Sequence, residues 1–388
     1  MDKQTKVAIV GAYPREEGLI VGGVEAVTSA LCDGLVGTGE CEVHVVTSVS
    51  GISKPVEWTS STGVIVHQIP LFGKLGCLTG FAVDSSRIRR CIASIAPDIV
   101  HVHTTLHYAH AALERGWPSV LTIHGIYYLE AGLQTGWRGL QSRFACRYER
   151  GAAKRARHII AINHYAAECL QEHITTTDVR YIDNPIDDGF FDVEDRAEPG
   201  RVLYGALIYE RKNLLGLLEA VRLVAPKHPH INLRVAGRVV SQDYYKRCLA
   251  FVRENGLERN VDFIGSQSLE EMKEEIARAS IVSMTSRQET APMIISESMA
   301  AGKVVVSTPA GGTAEMVMDG KTGFVVPHDD AQALADRIDQ VFNSPALAAE
   351  LSANARQEAE SRFRRSVVVD KTMDFYDYIL GVKAGDEA

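Results

Sequence analysis

Nowhere in the 388 residues do 18 apolar positions run together, so no stretch is long enough to cross a bilayer as a helix. The seven cysteines (Cys32, Cys41, Cys77, Cys91, Cys146, Cys169 and Cys248) are odd in number, scattered and without a CxxC pair. Neither a disulfide framework nor a thiolate metal site follows from that spacing, and a reduced, cytoplasmic chain is expected. The opening MDKQTKVAIVGAYPREEG turns polar before an apolar stretch of signal-peptide length develops, so no secretory leader is expected. Basicity is missing as well. With 49 acidic against 41 basic residues the formal net charge is −8, which disfavours binding to nucleic acid. A GxGxxG fingerprint is also absent, because the first strand-like run leads into Gly11-Ala12-Tyr13-Pro14. A nicotinamide or flavin dehydrogenase is thereby disfavoured.

What is present is the composition of a soluble globular protein, 46% hydrophobic and 23% charged, at a length that suits two domains. Short apolar runs rich in β-branched residues alternate with helical patterns. Strands are predicted at 6–10, 42–47, 63–69, 98–102, 120–123, 158–162 and 179–182, with helices such as 24–36, 84–96 and 140–157. Asn184-Pro185 breaks the pattern, and the acidic stretch 187–200 reads as a junction. The alternation then restarts, with strands at 201–207, 231–236, 261–264, 281–284 and 303–307. It closes on helical patterns at 331–342, 346–362 and 366–380. Such alternation builds parallel sheets with helices on both faces. The expected fold class is α/β, with Rossmann-like domains over 1–186 and 200–365 and a C-terminal helix at 366–388 packing back on the first.

The most informative stretch, 281–308, reads as strand, polar turn, helix and strand. Pro292 stands at the expected first helical position, where its missing N–H would have no partner anyway. Glu289 lies in the turn, and Glu297 lies about a turn and a half into the helix. The backbone N–H groups of Thr290, Ala291 and Met293 gather at the positive end of the helix dipole. A helix start at the carboxyl end of a parallel strand is a ready phosphate site. Phosphate on those amides, with hydroxyl-bearing rings on the two carboxylates, describes a nucleotide-sugar better than a nucleotide alone. Surface glutamates are ordinarily solvated. Here Ile294, Ile295, Met299, Ala300 and Ala301 flank Glu297, so this is no charged outer helix.

The run ETAPMIISESMAAGKVVVSTPAGGTAEMVMDGKTGFVV resembles the signature of retaining glycosyltransferases of the GT-B fold, in the sucrose-synthase-like group called family 4. The family's Glu-x7-Glu is met by Glu289 and Glu297, and its helix-closing glycine by Gly302. Its Gly-Gly turn with a following Glu is met by Gly311, Gly312 and Glu315, and its Gly-x-x-Gly turn by Gly320 and Gly323. Ala291-Pro292-Met293 departs from the family's Phe-Gly-Leu and removes one amide donor. The resemblance implies two domains facing across a cleft and a UDP- or GDP-hexose donor. The acceptor it implies is a glycan, a lipid-linked species or a small molecule. It also implies that Glu297 accepts the ribose hydroxyls and that Glu289 holds those of the transferred sugar.

Further motifs join this reading. Arg211 and Lys212 are adjacent cations after a buried strand, placed to neutralise a leaving diphosphate. They resemble the family's Gly-Arg-Leu-x-x-x-Lys loop. Lys212 maps onto its lysine, while Ala206 replaces its arginine and Arg211 is offered as the substitute cation. His124, in Thr122 to His124, resembles the family's Thr-x-His, implied to face the donor sugar. Gly22 and Gly23 resemble its Gly-Gly at the diphosphate, although a tight turn alone would also want glycine. Phe263, Ile264, Gly265 and Ser266 resemble the segment lying against the base. His101, His103, His107 and His110 suggest a metal cluster at first sight, but no cysteine lies close, and one or two of them lining the cleft at the end of a parallel strand is the better reading. Arg138, Arg143, Arg147, Arg150, Lys154, Arg155 and Arg157 make a basic helix face, either a solvated flank or a peripheral contact with anionic lipid.

The combined expectation is a metal-independent hexosyltransferase in which protein cations and helix amides stand in for a divalent metal, so no Asp-x-Asp motif is needed. Two rivals remain open: a nucleotide-sugar 2-epimerase of the same fold, and a catalytically silent nucleotide-binding partner in a glycan assembly complex.

Overall fold

The computed structural model describes residues 4–72, 81–113, 116–131 and 136–381, with side chains described except over 130–144. The chain divides into two compact units, Met1–Pro185 with Arg365–Ala388, and Ile186–Arg364.

The first unit carries β1 (Thr5–Gly11), β2 (Cys41–Val49), β3 (Val56–Thr59), β4 (Ile65–Pro70), β5 (Ile99–His103), β6 (Ser119–Ile123), β7 (Ile159–Ala161) and β8 (Val179–Tyr181). Their order in one sheet is β3-β4-β2-β1-β5-β6-β7-β8. Every pairing is parallel except β3 with β4. Helices cover both faces of a parallel sheet, which is why the central run Val7 to Val10 is apolar throughout and wholly buried. β3 is absent from the sequence-based expectation. Its VEWT is too short and too exposed to leave a hydrophobic signature, and it holds only the sheet edge. The C-terminal helix Arg365–Leu380 completes this core, burying Val368, Val369, Phe375 and Tyr376 against Leu31, Leu35 and Val43.

The second unit carries β9 (Arg201–Gly205), β10 (Asn232–Ala236), β11 (Val261–Gly265), β12 (Ile281–Met284), β13 (Val304–Ser307) and β14 (Gly323–Val325). They form an all-parallel sheet in the order β11-β10-β9-β12-β13-β14. Two expectations need correction here. The stretch read as a junction begins within this unit's core, where Ile186, Phe190 and Phe191 pack against Ile295 and Met299. Pro292 is not the first helical residue. With φ −70° and ψ 119° it is the extended residue before the helix Met293–Ala300, so Glu297 sits little more than one turn from the helix start.

Strand order reverses between β1 and β5 in one sheet and between β9 and β12 in the other. At such switch points the loops leaving the carboxyl ends part in opposite directions, opening a crevice where ligands bind in α/β folds. In the second unit the loop leaving β9 carries Arg211 and Lys212, and the loop leaving β12 carries Glu289. In the first, the segment after β5 carries Thr104 and Thr105, and His124 follows β6.

Candidate functional site

At the second switch point three loops are stitched into one surface. After β9 the chain makes one tight helical turn, Glu210–Lys212, before Asn213 starts the helix Leu214–Val224 from the left-handed region, at φ 49°. From the β12 loop, Arg287 N donates to Arg211 O at 2.9 Å and Thr285 Oγ1 to Asn213 O at 2.8 Å. Arg211 returns a bond to Gln288 O at 3.2 Å and also donates to the Tyr209 hydroxyl at 2.8 Å. Lys212 Nζ meets Glu289 Oε1 at 2.5 Å, with both side chains almost withdrawn from solvent. The β13 loop joins through Gly312 N, which donates to Glu289 O at 3.2 Å. Structure thus brings together Lys212, Arg211 and Glu289, which lie in two separate sequence motifs.

Two glycines make the arrangement sterically feasible. A Cβ on Gly237 would fall 1.9 Å from Ala206 O, and the loops after β9 and β10 run side by side there. Gly237 N donates to Gly265 O at 2.7 Å, tying in the end of β11. A Cβ on Gly205 would sit 2.7 Å from Ile294 Cδ1, so the bare backbone lets the helix carrying Glu297 lie close against β9.

Glu297 is partly accessible, yet burial lifts its pKa to about 7. The neighbouring Asp187 raises it further and Lys273 opposes the rise. Lys273 is itself held by Asp187 at 2.9 Å and Glu270 at 2.9 Å. Sequence reasoning did not identify Asp187 or Lys273 as neighbours of Glu297, since they lie far apart in the chain. Thr290, Ala291 and Met293 are half-buried beside the helix start, and Pro292 offers no side-chain cap to its first amides. Gly265 and Ser266 are exposed at the end of β11, where Gly265 turns the chain at φ 75°. A turn is therefore sufficient reason for that glycine.

In the first unit, Gly22 precedes the helix Gly23–Gly37 in extended backbone, at φ −150°. Nothing lies within 4 Å of a Cβ added there, so a tight turn does not account for this glycine. His124 follows β6, and its Nε2 lies 2.8 Å from His103 Nδ1. Burial lowers its pKa to about 4, against the opposing hydrogen bond of Asn184. His101 bonds the Tyr376 hydroxyl and Thr122 Oγ1, each at 2.6 Å, as a satisfied core histidine does. Among the described residues no group of three or more His, Cys, Asp or Glu side chains could hold a metal ion. Of the basic face, Arg138 and Arg143 lie outside the described side chains. Arg150 stands 5.9 Å from the centre of the Tyr128 ring. No described helix is long and apolar enough to cross a membrane.

Comparison with known proteins covers both units. The profile described as "Glycosyltransferase Family 4" matches residues 21–190, and that described as "Glycosyl transferases group 1" matches residues 188–358. A glycogen synthase of Mycobacterium tuberculosis is 28% identical over 305 residues, 75% of this chain and 70% of the relative. A GDP-mannose:cellobiosyl-diphosphopolyprenol alpha-mannosyltransferase of Xanthomonas oryzae is 24% identical over 306 residues, 75% of this chain and 77% of the relative. Among solved structures, a sucrose-phosphate synthase from Thermosynechococcus elongatus superposes with a TM-score of 0.81 at 18% identity, covering 98% of this chain and 100% of its own. HepE of Anabaena, solved with UDP and glucose, gives 0.73 at 20% identity over 97% of this chain and 100% of its own.

Proposed function

Because the chain belongs to the family 4, group 1 glycosyltransferases, enzymes of the GT-B fold, we propose that it moves a hexosyl group from a UDP- or GDP-hexose to a hydroxyl-bearing acceptor. In this reading transfer retains configuration and needs no metal. The observation that carries it is the Lys212–Glu289 pair at the switch point between β9 and β12, with Arg211 beside it.

The second unit takes the donor. Negative charge gathering on the departing diphosphate is balanced by Lys212, by Arg211 and by the amides at the start of the helix Met293–Ala300. These cations are held in place by the loop-to-loop hydrogen bonds, so little reorganisation is needed when charge develops. Glu297 accepts the ribose hydroxyls and must be ionised to do so. Glu289, already oriented by Lys212 and the β13 loop, accepts hydroxyls of the transferred sugar. In this reading no side chain acts as a covalent nucleophile, and attack on the departing face passes through an oxocarbenium-like transition state. The first unit takes the acceptor and supplies His124. A lipid-linked acceptor would bring the basic stretch 138–157 against anionic headgroups, which flotation with anionic vesicles tests.

Donor hydrolysis with labelled UDP- and GDP-hexoses, repeated in EDTA, tests the reading. Turnover that survives chelation and disappears in Lys212→Ala and Glu289→Ala supports it. Loss in EDTA with recovery on added metal overturns the metal-free part. Isomerised donor without hydrolysis or transfer overturns the reaction class in favour of epimerisation. Binding of a nucleoside diphosphate without any turnover favours the silent partner.

A further inference from the structure

Three segments of the second unit that share one apolar cluster each bring a charge to the neighbourhood of Glu297. Ile295 and Met299, on the helix Met293–Ala300, pack in that cluster with Ile186 and Phe190, and Leu269 and Met272 of the helix Leu269–Arg278 close against them. Asp187 follows Ile186, Lys273 follows Met272, and Glu297 lies between Ile295 and Met299. Lys273 Nζ is 2.9 Å from Asp187 Oδ1 and 2.9 Å from Glu270 Oε1, and it stands 5.6 Å from the centre of the Phe190 ring. A Cβ on Gly189 would fall 2.6 Å from Lys273 Nζ and 2.7 Å from Asp187 Oδ1, so the backbone is bare where this pair meets. Asp187 Oδ1 also accepts from Gly189 N at 3.1 Å.

Glu297 and Glu289 meet their cations differently. Glu289 is paired directly with Lys212, whereas no ion pair takes the Glu297 carboxylate among the described residues. The charges whose field reaches Glu297 are Asp187 and Lys273. Other elements touching its helix add none. β12 and β13 read IVSM and VVVS. Arg356, on the helix Pro345–Arg362, spends its guanidinium on Ala300 O at 3.3 Å and Phe191 O at 2.6 Å.

We propose that Lys273 is a positioning residue for donor binding: it acts on Glu297 as the cation that keeps this carboxylate in its ionised, accepting form, and Asp187 opposes it. The proposal rests on the ribose role given to Glu297 above. Burial works against the ionised form and, with Asp187, brings Glu297 to about 7 despite Lys273. Lys273 itself stays charged throughout that range, because Asp187 and Glu270 outweigh its own burial and hold it above the ordinary lysine value. A carboxylate poised near neutrality is where a modest field matters most, since affinity follows the fraction of protein in the competent form.

The test measures UDP and GDP affinity by calorimetry from about pH 5.5 to 9, with carboxyl-13C-glutamate spectra of the ligand-free chain alongside. The Glu297 signal is identified by its loss in Glu297→Gln. Lys273→Met should move the Glu297 midpoint up by about one pH unit. Affinity should then fall about threefold at pH 7 and return to the wild-type value by about pH 9. Asp187→Asn, whose amide oxygen can still accept from Gly189 N, should move the midpoint down by about one pH unit and raise affinity about threefold at pH 6. In a Glu297→Gln background both substitutions should lose their effect on affinity. A midpoint that stays put, or moves the same way in both variants, overturns the proposal. So does a loss in Lys273→Met that is equal at every pH and persists with Gln at 297, because Lys273 would then touch the ligand itself. If Lys273→Met fails to fold, the downward shift in Asp187→Asn decides. A wild type that binds neither nucleotide overturns the donor reading instead, and the carboxyl midpoints still settle what Lys273 does to Glu297.

Discussion

The carboxyl edges of the two sheets are built from different chemistry. In the second unit the edge carries full charges that are already matched: Lys212 with Glu289, and Lys273 with Asp187 beside Glu297. In the first unit the same edge carries neutral dipoles. His103, Thr104, Thr105 and His107 each have a buried polar atom with no hydrogen-bond partner among the described residues, whereas at the second unit's edge only the hydroxyls of Ser286, Ser307 and Thr313 do. A diphosphate is bound by groups that stay charged, whereas a hydroxyl-bearing acceptor is bound by donors and acceptors that stay neutral. On the proposed reading the contrast suits each unit to a distinct ligand chemistry, and each of the following experiments presses on it.

The largest effect is expected at the charged edge. Lys212→Ala should lower donor turnover about 10²- to 10³-fold, since it removes a preorganised charge from the developing oxyanion. It also leaves Glu289 buried without its cation, so stability should fall too. Pairing Lys212→Met with Glu289→Gln separates the two effects, because the apolar and amide groups satisfy the interior without supplying charge. Thermal stability should recover while turnover stays lost. A double variant that regains activity would show that the ion pair serves packing alone.

Acid should act on the two units in opposite directions. In the first unit burial takes His101 to about 3, and His107 and His124 to about 4, from an ordinary value of 6.5. The unfolded chain accepts protons there that the folded unit refuses, so stability is full above about pH 6.5 and drains away as pH falls. For His107 alone the linkage amounts to about 3 kcal/mol. Glu297 works the other way. Its value of about 7 means the folded unit takes up a proton first, so this contribution is present at low pH and is lost as pH rises through 7. Glu275, held low by Arg234 and Arg201 against the opposing effect of burial, and Asp262, held low by Asn232 and then Arg234, weaken the second unit only below the ordinary carboxylate range. All three tryptophans, Trp58, Trp117 and Trp137, fall in the first unit. Their fluorescence should therefore change at higher pH than the bulk far-ultraviolet dichroism during acid titration. Coincident transitions, or dichroism leading, would break the comparison.

Glu297→Gln should weaken nucleoside diphosphate binding about tenfold by calorimetry, since a carboxylate is a stronger acceptor than an amide for ribose hydroxyls. In the wild type, affinity relative to this variant should rise as pH passes through 7, because only the ionised form accepts both bonds. A constant ratio between the two proteins from about pH 6 to 8 would remove the ribose role.

Much of this was legible in the sequence, for physical reasons that also mark where reading stopped. Buried parallel strands such as VAIV in β1 and IVSM in β12 are continuous apolar runs, which announce themselves. An edge strand with exposed side chains, such as β3, does not. The short helix His164–Leu170 carried a readable signal that went unused: Asn163 caps it, accepting from Ala166 N at 2.8 Å. Pro292 was displaced by one position because its fixed φ suits both a helix and the extended residue before one, and ψ alone tells them apart. Glu289, Lys212 and His124 could be named from motifs, but the Lys212–Glu289 pair depends on β9 and β12 being neighbours in the sheet. Likewise the alternation of His101 and His103 put them on one face, while their coupling to His124 required β5 to lie beside β6.

The smallest stability effect is expected at Gly22, and it separates two reasons for a glycine. Its backbone is extended and open space surrounds the position, so Gly22→Ala should change unfolding free energy by less than about 0.5 kcal/mol. If instead the glycine keeps the loop bare for a ligand, an added methyl group should still lower turnover severalfold with stability unchanged. Full activity in Gly22→Ala would take this residue out of the site. A clear loss of stability would restore the turn as its reason. Lost turnover at constant stability would instead extend the contrast between the two edges: a glycine such as Gly237 is required by its own fold, and Gly22 by what the fold receives.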